Sequence, residues 1–381
     1  MPLLTFDPKS DRIALAHKRL AAAYARVPGA EIPIVEPGCH APLPDGIDPA
    51  KLDDLDRLLY EAAAWANGLA ASDNDWPPMI NTLCGVVFIA EAFGCEVVYG
   101  EGGVAWTRPV TTNINDVWKI RPVKCGTSPL IRRLSQWIDY AQRKLGTEVP
   151  MWTMDLQSPF SVAAHIVEPT ELLASCISNP KAVHHLVNMI TDYSIEHMRM
   201  HLAEMEHPGF PGRNFPSISD NIGICLADDT PLIMLSPEMY REFALPYNSR
   251  IGAEFEGVHI HSCGDYRHNI DNLLAITNIR SIQAHAGPGE FILPDTATED
   301  CPFNRARNKV AWFIDTGQLA RGDLYRNDVR RHYAEYTLPR VLDGDTSGLI
   351  LQSCGTGDGV PDANSALAWT RSQVARRLGR R

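Results

Sequence analysis

From residue 149 onward, short apolar runs alternate with longer stretches of helical spacing. The runs fall at 150–155, 221–226, 258–260, 281–285, 310–314 and 348–351. They do not alternate apolar with polar, which is the pattern of strands buried on both faces and paired in parallel. Between them the spacing predicts helices over 161–166, 180–206, 236–254, 267–276, 323–342 and 364–378, with a helical region around 299–308. Ser236 and Pro237 give the third of these a start signal, a serine N-cap followed by proline at the first helical position.

Upstream, 11–26 places Ile13, Ala16, Leu20 and Ala23 on one helical face, and Pro28-Gly29 ends it. A strand is predicted over 31–36, a helix over 48–67, a buried helix over 80–93 and a strand over 95–99. Two early strands and six later ones make about eight strand–helix units. The predicted fold is therefore an α/β (β/α)8 TIM barrel with extra N-terminal helices, a single domain over 1–381 with 1–30 as a helical extension. The glycines at 100, 102 and 103 lack a following Gly-Lys-Ser/Thr and read as a turn.

Composition narrows the function. The chain has 381 residues, 45% hydrophobic and 21% charged, with a formal net charge of −11. That balance argues against a nucleic-acid or anionic-membrane partner. The start, MPLLTFDPKSDR, has no apolar signal core, so a cytoplasmic protein is expected. Nine cysteines, an odd number without framework spacing, read as reduced thiols.

A barrel collects its chemistry where the strands end. Those ends carry Asp155, Asp228 and Asp229, His261 and Cys263, His285, Asp315, and Cys354. His261 and Cys263 share a face of one extended segment. With Cys354 from the last strand they form a three-ligand zinc set that leaves one position open. His285 is the nearest candidate for a fourth ligand or a substrate contact. Asp228 and Asp229 are candidate catalytic acids, orienting His261 or binding substrate. Zinc with two thiolates suits holding a substrate thiol as the nucleophilic thiolate. His197 and His201, at i and i+4 without an HExxH pattern, read as a solvated helix face, and Cys39-His40 as a loop pair.

The segments MDLQSPFSVAAHIVEPTELL (154–173), LSPEMYREFALPYNSRI (235–251), HIHSCGD (259–265) and LQSCGTGDGVP (351–361) resemble the uroporphyrinogen decarboxylase superfamily, in its cobalamin-dependent, coenzyme M type methyltransferase branch. The resemblance implies zinc on His261, Cys263 and Cys354. It further implies methylcobalamin on a partner corrinoid protein as co-substrate, and a thiol or similar small-molecule acceptor. The alternatives are a metal-independent decarboxylase or lyase of the uroporphyrinogen decarboxylase type, or an O-demethylase component acting on a methyl ether. True decarboxylases carry an arginine-rich segment after the first strand, and EPGCHAPLPDG here has no arginine.

Overall fold

The computed structural model describes residues 3–44, 47, 51–82, 86–100, 105–285, 302–316, 329–355 and 362–379. Seven strands form one parallel sheet in the order Ile34–Val35, Leu349–Gln352, Ala311–Asp315, Ile279–His285, Val258–His261, Ile224–Ala227 and Leu156–Gln157. Ile80 bridges Met151 in parallel and takes the remaining place. The segment before Ile80 closes on the first strand. The Asp75 amide donates to the Ile34 carbonyl at 3.1 Å, and the Ile34 amide donates to the Asp75 carboxylate at 2.8 Å. Taken in chain order, each strand neighbours the next, and the circuit is a (β/α)8 barrel.

Inward-facing side chains fill the barrel in layers. Near the amino end, His259 lies beside Ser281, and Ser281 is level with Ala311. The middle is plugged by Trp76, Trp152, Phe215 and Phe313, with ring centroids 6.0–6.4 Å apart along the chain of contacts. Below it, the Asp11–Tyr24 helix closes the amino end. Its Leu20, Ala23 and Tyr24 are buried against Val35 and Ile350, and the Tyr24 hydroxyl donates to the Pro216 carbonyl at 2.6 Å. Burial of each large aliphatic side chain of this kind contributes roughly 1.5–3 kcal/mol relative to exposure.

Five expectations change. The helix predicted over 80–93 shrinks to Phe88–Ala92, because Ile80 is drawn into the sheet. The apolar run at 95–99 is a strand, Glu96–Tyr99, but it pairs antiparallel with Ala105–Arg108 outside the barrel, and Ile80 holds the second barrel position. Most of the glycine cluster after it lies outside the described residues. The run at 150–155 breaks into Met151–Trp152 and Leu156–Gln157, because Pro208–Gly209 wedges between the third and fourth strands and pairs with Met151–Trp152. The helix predicted over 236–254 breaks at Ala244 into Pro237–Phe243 and Leu245–Glu254, since Pro246 has no amide to continue the ladder. His197 and His201 are not solvated. Both are fully buried on Pro180–Ala203, where the His201 ring accepts from the Met154 amide at 3.0 Å. Met198 is buried on the same helix and fills core. The seven described cysteines are free thiols.

Candidate metal centre at the barrel rim

Parallel pairing sets the geometry. The Val258–His261 strand delivers His261 inward, and Ala227 is its partner on the neighbouring strand, so Asp228 and Asp229 leave that strand at the same height. The chain turns after His261. The Cys263 amide donates to the Asp229 carboxylate at 2.6 Å, and the Asp228 amide donates to the His261 carbonyl at 2.9 Å. Gly264 then packs under the Asp229–Met234 helix. A Cβ there would sit 2.3 Å from Ile233 Cδ1, so a larger residue would have to displace the Ile233 side chain.

The result is a donor cluster. One ligand atom from each of Asp229, His261 and Cys263 lies within 4.8 Å of the other two. His261 Nε2 and Cys263 Sγ are 3.4 Å apart. Zinc bonds of about 2.0–2.1 Å to nitrogen and 2.3 Å to sulfur at a tetrahedral angle require about 3.6 Å between such atoms. The observed separation is close to that span.

A relay missed by sequence reasoning orients the imidazole. Gln283 lies on the neighbouring strand level with His261. Its Nε2 donates to Asp315 Oδ2 at 2.7 Å, which turns its Oε1 to His261 Nδ1 at 2.5 Å. A carbonyl oxygen can only accept, so Nδ1 carries a proton and Nε2 is the nitrogen turned to Cys263. His285 ends the same strand as Gln283, 3.3 Å from Asp315 through Nδ1, with its ring perpendicular to that of His261 at 6.3 Å.

These neighbours set the electrostatics. The hydrogen bond from His261, then that from His285, lowers the Cys263 thiol to about 7 against the effect of burial. Burial works against a charged His261, yet Cys263 and Asp229 raise it to about 9. The pair therefore favours a Cys263 thiolate accepting from a protonated His261, and a metal would take the place of the Nε2 proton.

The other sequence candidates fall in different places. Asp228 is fully buried and turned away from the cluster. Its Oδ2 accepts from the Tyr240 hydroxyl at 2.5 Å and from Asn248 Nδ2 at 3.0 Å, and burial pushes its carboxyl up to about 7. It anchors the helices behind the rim. Asp155 accepts from the amides of Arg213 (2.9 Å) and Asn214 (3.4 Å), and burial raises its carboxyl. Cys354 is not in the donor cluster. Its amide donates to Thr370, its thiol lies 3.4 Å from the Gly355 carbonyl, and burial raises it to about 11. His40 lines a cavity at the rim, while Cys39 is buried beside Asn74.

Comparison with known proteins bears on this arrangement. The uroporphyrinogen decarboxylase (URO-D) family matches residues 79–205. That segment of the chain is similar to the family. The methylated-thiol–coenzyme M methyltransferase of Methanosarcina mazei is 27% identical over 179 residues, 46% of this chain and 44% of that protein. A uroporphyrinogen decarboxylase of Xanthomonas axonopodis pv. citri is 27% identical over 181 residues, 45% of each chain. The chain thus spans less than half the length of these curated relatives. A solved methyltransferase from Methanosarcina mazei superposes with a TM-score of 0.62 at 13% identity, over 95% of this chain and 99% of that one, a likeness of fold. The family match stops before the donor cluster, whose residues all lie beyond 205. Among the described residues no helix is long and apolar enough to cross a membrane.

Proposed function

We propose that this chain is a zinc-dependent methyltransferase that moves a methyl group between a corrinoid protein carrying methylcobalamin and a thiol or similar small acceptor. The observation that carries the reading is the 3.4 Å approach of His261 Nε2 to Cys263 Sγ beside the Asp229 carboxylate. His261 and Cys263 are the fixed ligands. Cys354 completes the set when its thiol leaves the Gly355 carbonyl, and Asp229 steadies the Cys263 turn and stands ready as a further oxygen donor. Zinc bound here would hold a substrate thiol as thiolate near neutral pH. The chain's own residues do the rest. Gln283 and Asp315 fix the His261 tautomer, Asp229 fixes the turn that carries Cys263, and the aromatic plug keeps the reacting group at the rim. Methyl transfer from methylcobalamin to that thiol would form a carbon–sulfur bond at the expense of the cobalt–carbon bond, with the bonding pair staying on cobalt and the thiol proton passing to solvent.

The test is loss of methylcobalamin absorbance with a panel of thiols, comparing the parent chain with Cys263→Ala. Thiol-dependent demethylation abolished in the variant supports the reading. Turnover that persists in Cys263→Ala contradicts it. The decarboxylase relatives favour a second reading, a metal-independent lyase at the same rim. It predicts release of carbon dioxide from a porphyrinogen carboxylate that is indifferent to chelators.

A further inference from the structure

Glu36 is a buried acid at the rim that the proposed chemistry leaves unused. It directly follows the first barrel strand, Ile34–Val35, and is only 5% exposed. A carboxylate that deep is costly unless its oxygens are hydrogen-bonded. Both are. Oε1 accepts the Gly38 amide at 2.8 Å, and Oε2 accepts the Ser353 hydroxyl. The absence of a side chain at Gly38 permits this, because a Cβ there would lie 2.8 Å from Oε1. The backbone of Glu36 is tied as well. Its amide donates to Asn74 Oδ1 at 3.1 Å, and Asn74 Nδ2 donates to its carbonyl at 2.6 Å.

Ser353 immediately precedes Cys354. Its hydroxyl donates to Glu36 and keeps a lone pair for the Gly355 amide, 3.1 Å away. The two residues flanking Cys354 are thus joined through one oxygen that Glu36 orients. The rest of the turn is held too. The Ser353 amide donates to the Val35 carbonyl at 2.8 Å, the Ser353 carbonyl accepts the Thr316 hydroxyl at 2.5 Å, and the Cys354 amide donates to Thr370 Oγ1 at 3.0 Å. Every backbone donor from 353 to 355 is therefore taken. Gly355, at φ +75°, adopts a backbone that favours glycine. What stays adjustable is the Cys354 side chain, whose thiol lies 3.4 Å from the Gly355 carbonyl.

We propose that Glu36 is a positioning residue, which through Ser353 holds the turn from which Cys354 presents its thiol to the metal. Fastening the barrel seam does not call for a buried charge. The first and last strands already pair in parallel, Ile34 with Leu351 and Val35 with Gln352. A charge-assisted hydrogen bond is roughly twice as strong as a neutral one and so gives the Ser353 oxygen a fixed direction. The inference rests on the zinc reading above and adds a residue that acts on a ligand without being one.

The test is titration of the metal-free full chain with cobalt(II), following the sulfur-to-cobalt charge-transfer band. Parent, Cys354→Ala, Ser353→Ala, Glu36→Leu and Glu36→Gln are compared, with melting temperatures measured on the same samples. Cys354→Ala sets the band of a site that has lost one thiolate. Ser353→Ala and Glu36→Leu should show that same weakened band and bind cobalt about 10–100-fold less tightly than the parent. Glu36→Gln, which keeps one acceptor oxygen and the shape, should lie nearer the parent. A purely structural role would lower the melting temperature and leave the band of the folded protein unchanged. Ser353→Ala, which retains Glu36, decides the matter if Glu36→Leu does not fold. Parent-like bands in the folded Ser353 and Glu36 variants overturn the inference and leave the zinc reading standing. A parent chain without the band, or a band indifferent to Cys354→Ala, overturns both.

Discussion

His261 Nδ1 lies 2.5 Å from Gln283 Oε1, and that contact decides which nitrogen of the imidazole faces Cys263. Asp315 fixes the amide from the other side at 2.7 Å. Replacing Gln283 with leucine removes the acceptor and frees the tautomer. Partners of this kind are worth roughly 10–100-fold in metal affinity. Gln283→Leu should therefore weaken zinc binding by about that factor in a chelator competition while the melting temperature changes little. Unchanged zinc affinity would show that the relay does not orient the ligand.

Adjacent acids should behave differently. Asp228 is buried under Tyr240 and Asn248, whereas Asp229 meets Cys263. Asp228→Ala strands two buried donors and should cost about 2–3 kcal/mol of stability, read by denaturant unfolding. Asp229→Asn should leave stability nearly intact and reduce zinc affinity. If the two variants exchange these phenotypes, the assignment of roles is wrong.

How much of this was legible in the sequence follows from what each residue needs. His261 and Cys263 were legible because a His-x-Cys at a strand end implies a shared face on its own. Gln283 was not, because its role depends on strand register with His261 and Asp315, which no local pattern encodes. The second barrel position escaped for a related reason. Ile80 is a single bridge held by its neighbours, while Glu96–Tyr99 has the stronger strand composition yet lies outside the barrel. His197 and His201 looked polar by type, but their helix buries that face against Met154. For Cys354 the sequence supplied the place, at the end of the last strand. The packing of Thr370 against its backbone governs where the thiol now points.

Buried neutral histidines predict acid sensitivity. Burial holds His201 and His259 to about 3 and His197 to about 4. In the unfolded chain each titrates near 6.5. The unfolded state therefore binds more protons as pH falls, so this stability is fully present above about pH 6.5 and is lost toward pH 4 and below. Each histidine contributes a slope of up to about 1.4 kcal/mol per pH unit in that window. Asp228, raised to about 7, acts in the opposite direction, so the comparison must be differential. His201→Gln, which keeps an acceptor for the Met154 amide, should flatten the pH dependence of unfolding between 6.5 and 4. A curve parallel to that of the parent chain would refute the assignment.

Thiol reactivity should single out Cys263. It is exposed and lowered to about 7, whereas burial raises Cys95 and Cys176 to about 12 and Cys354 to about 11. Among these four, iodoacetamide should alkylate Cys263 first in metal-free protein at pH 7, as mass mapping would show. Added zinc should protect it. Equal labelling of Cys95 or Cys176 would contradict the electrostatics described here.

Zinc held by His261, Cys263 and Cys354 would show in the metal content of the purified chain, compared with Cys263→Ala, Cys354→Ala and Asp229→Asn. About one zinc per chain is expected, lost in both cysteine variants and retained at reduced affinity in Asp229→Asn. Zinc that survives both cysteine changes, or a chain that binds none, would contradict the zinc reading.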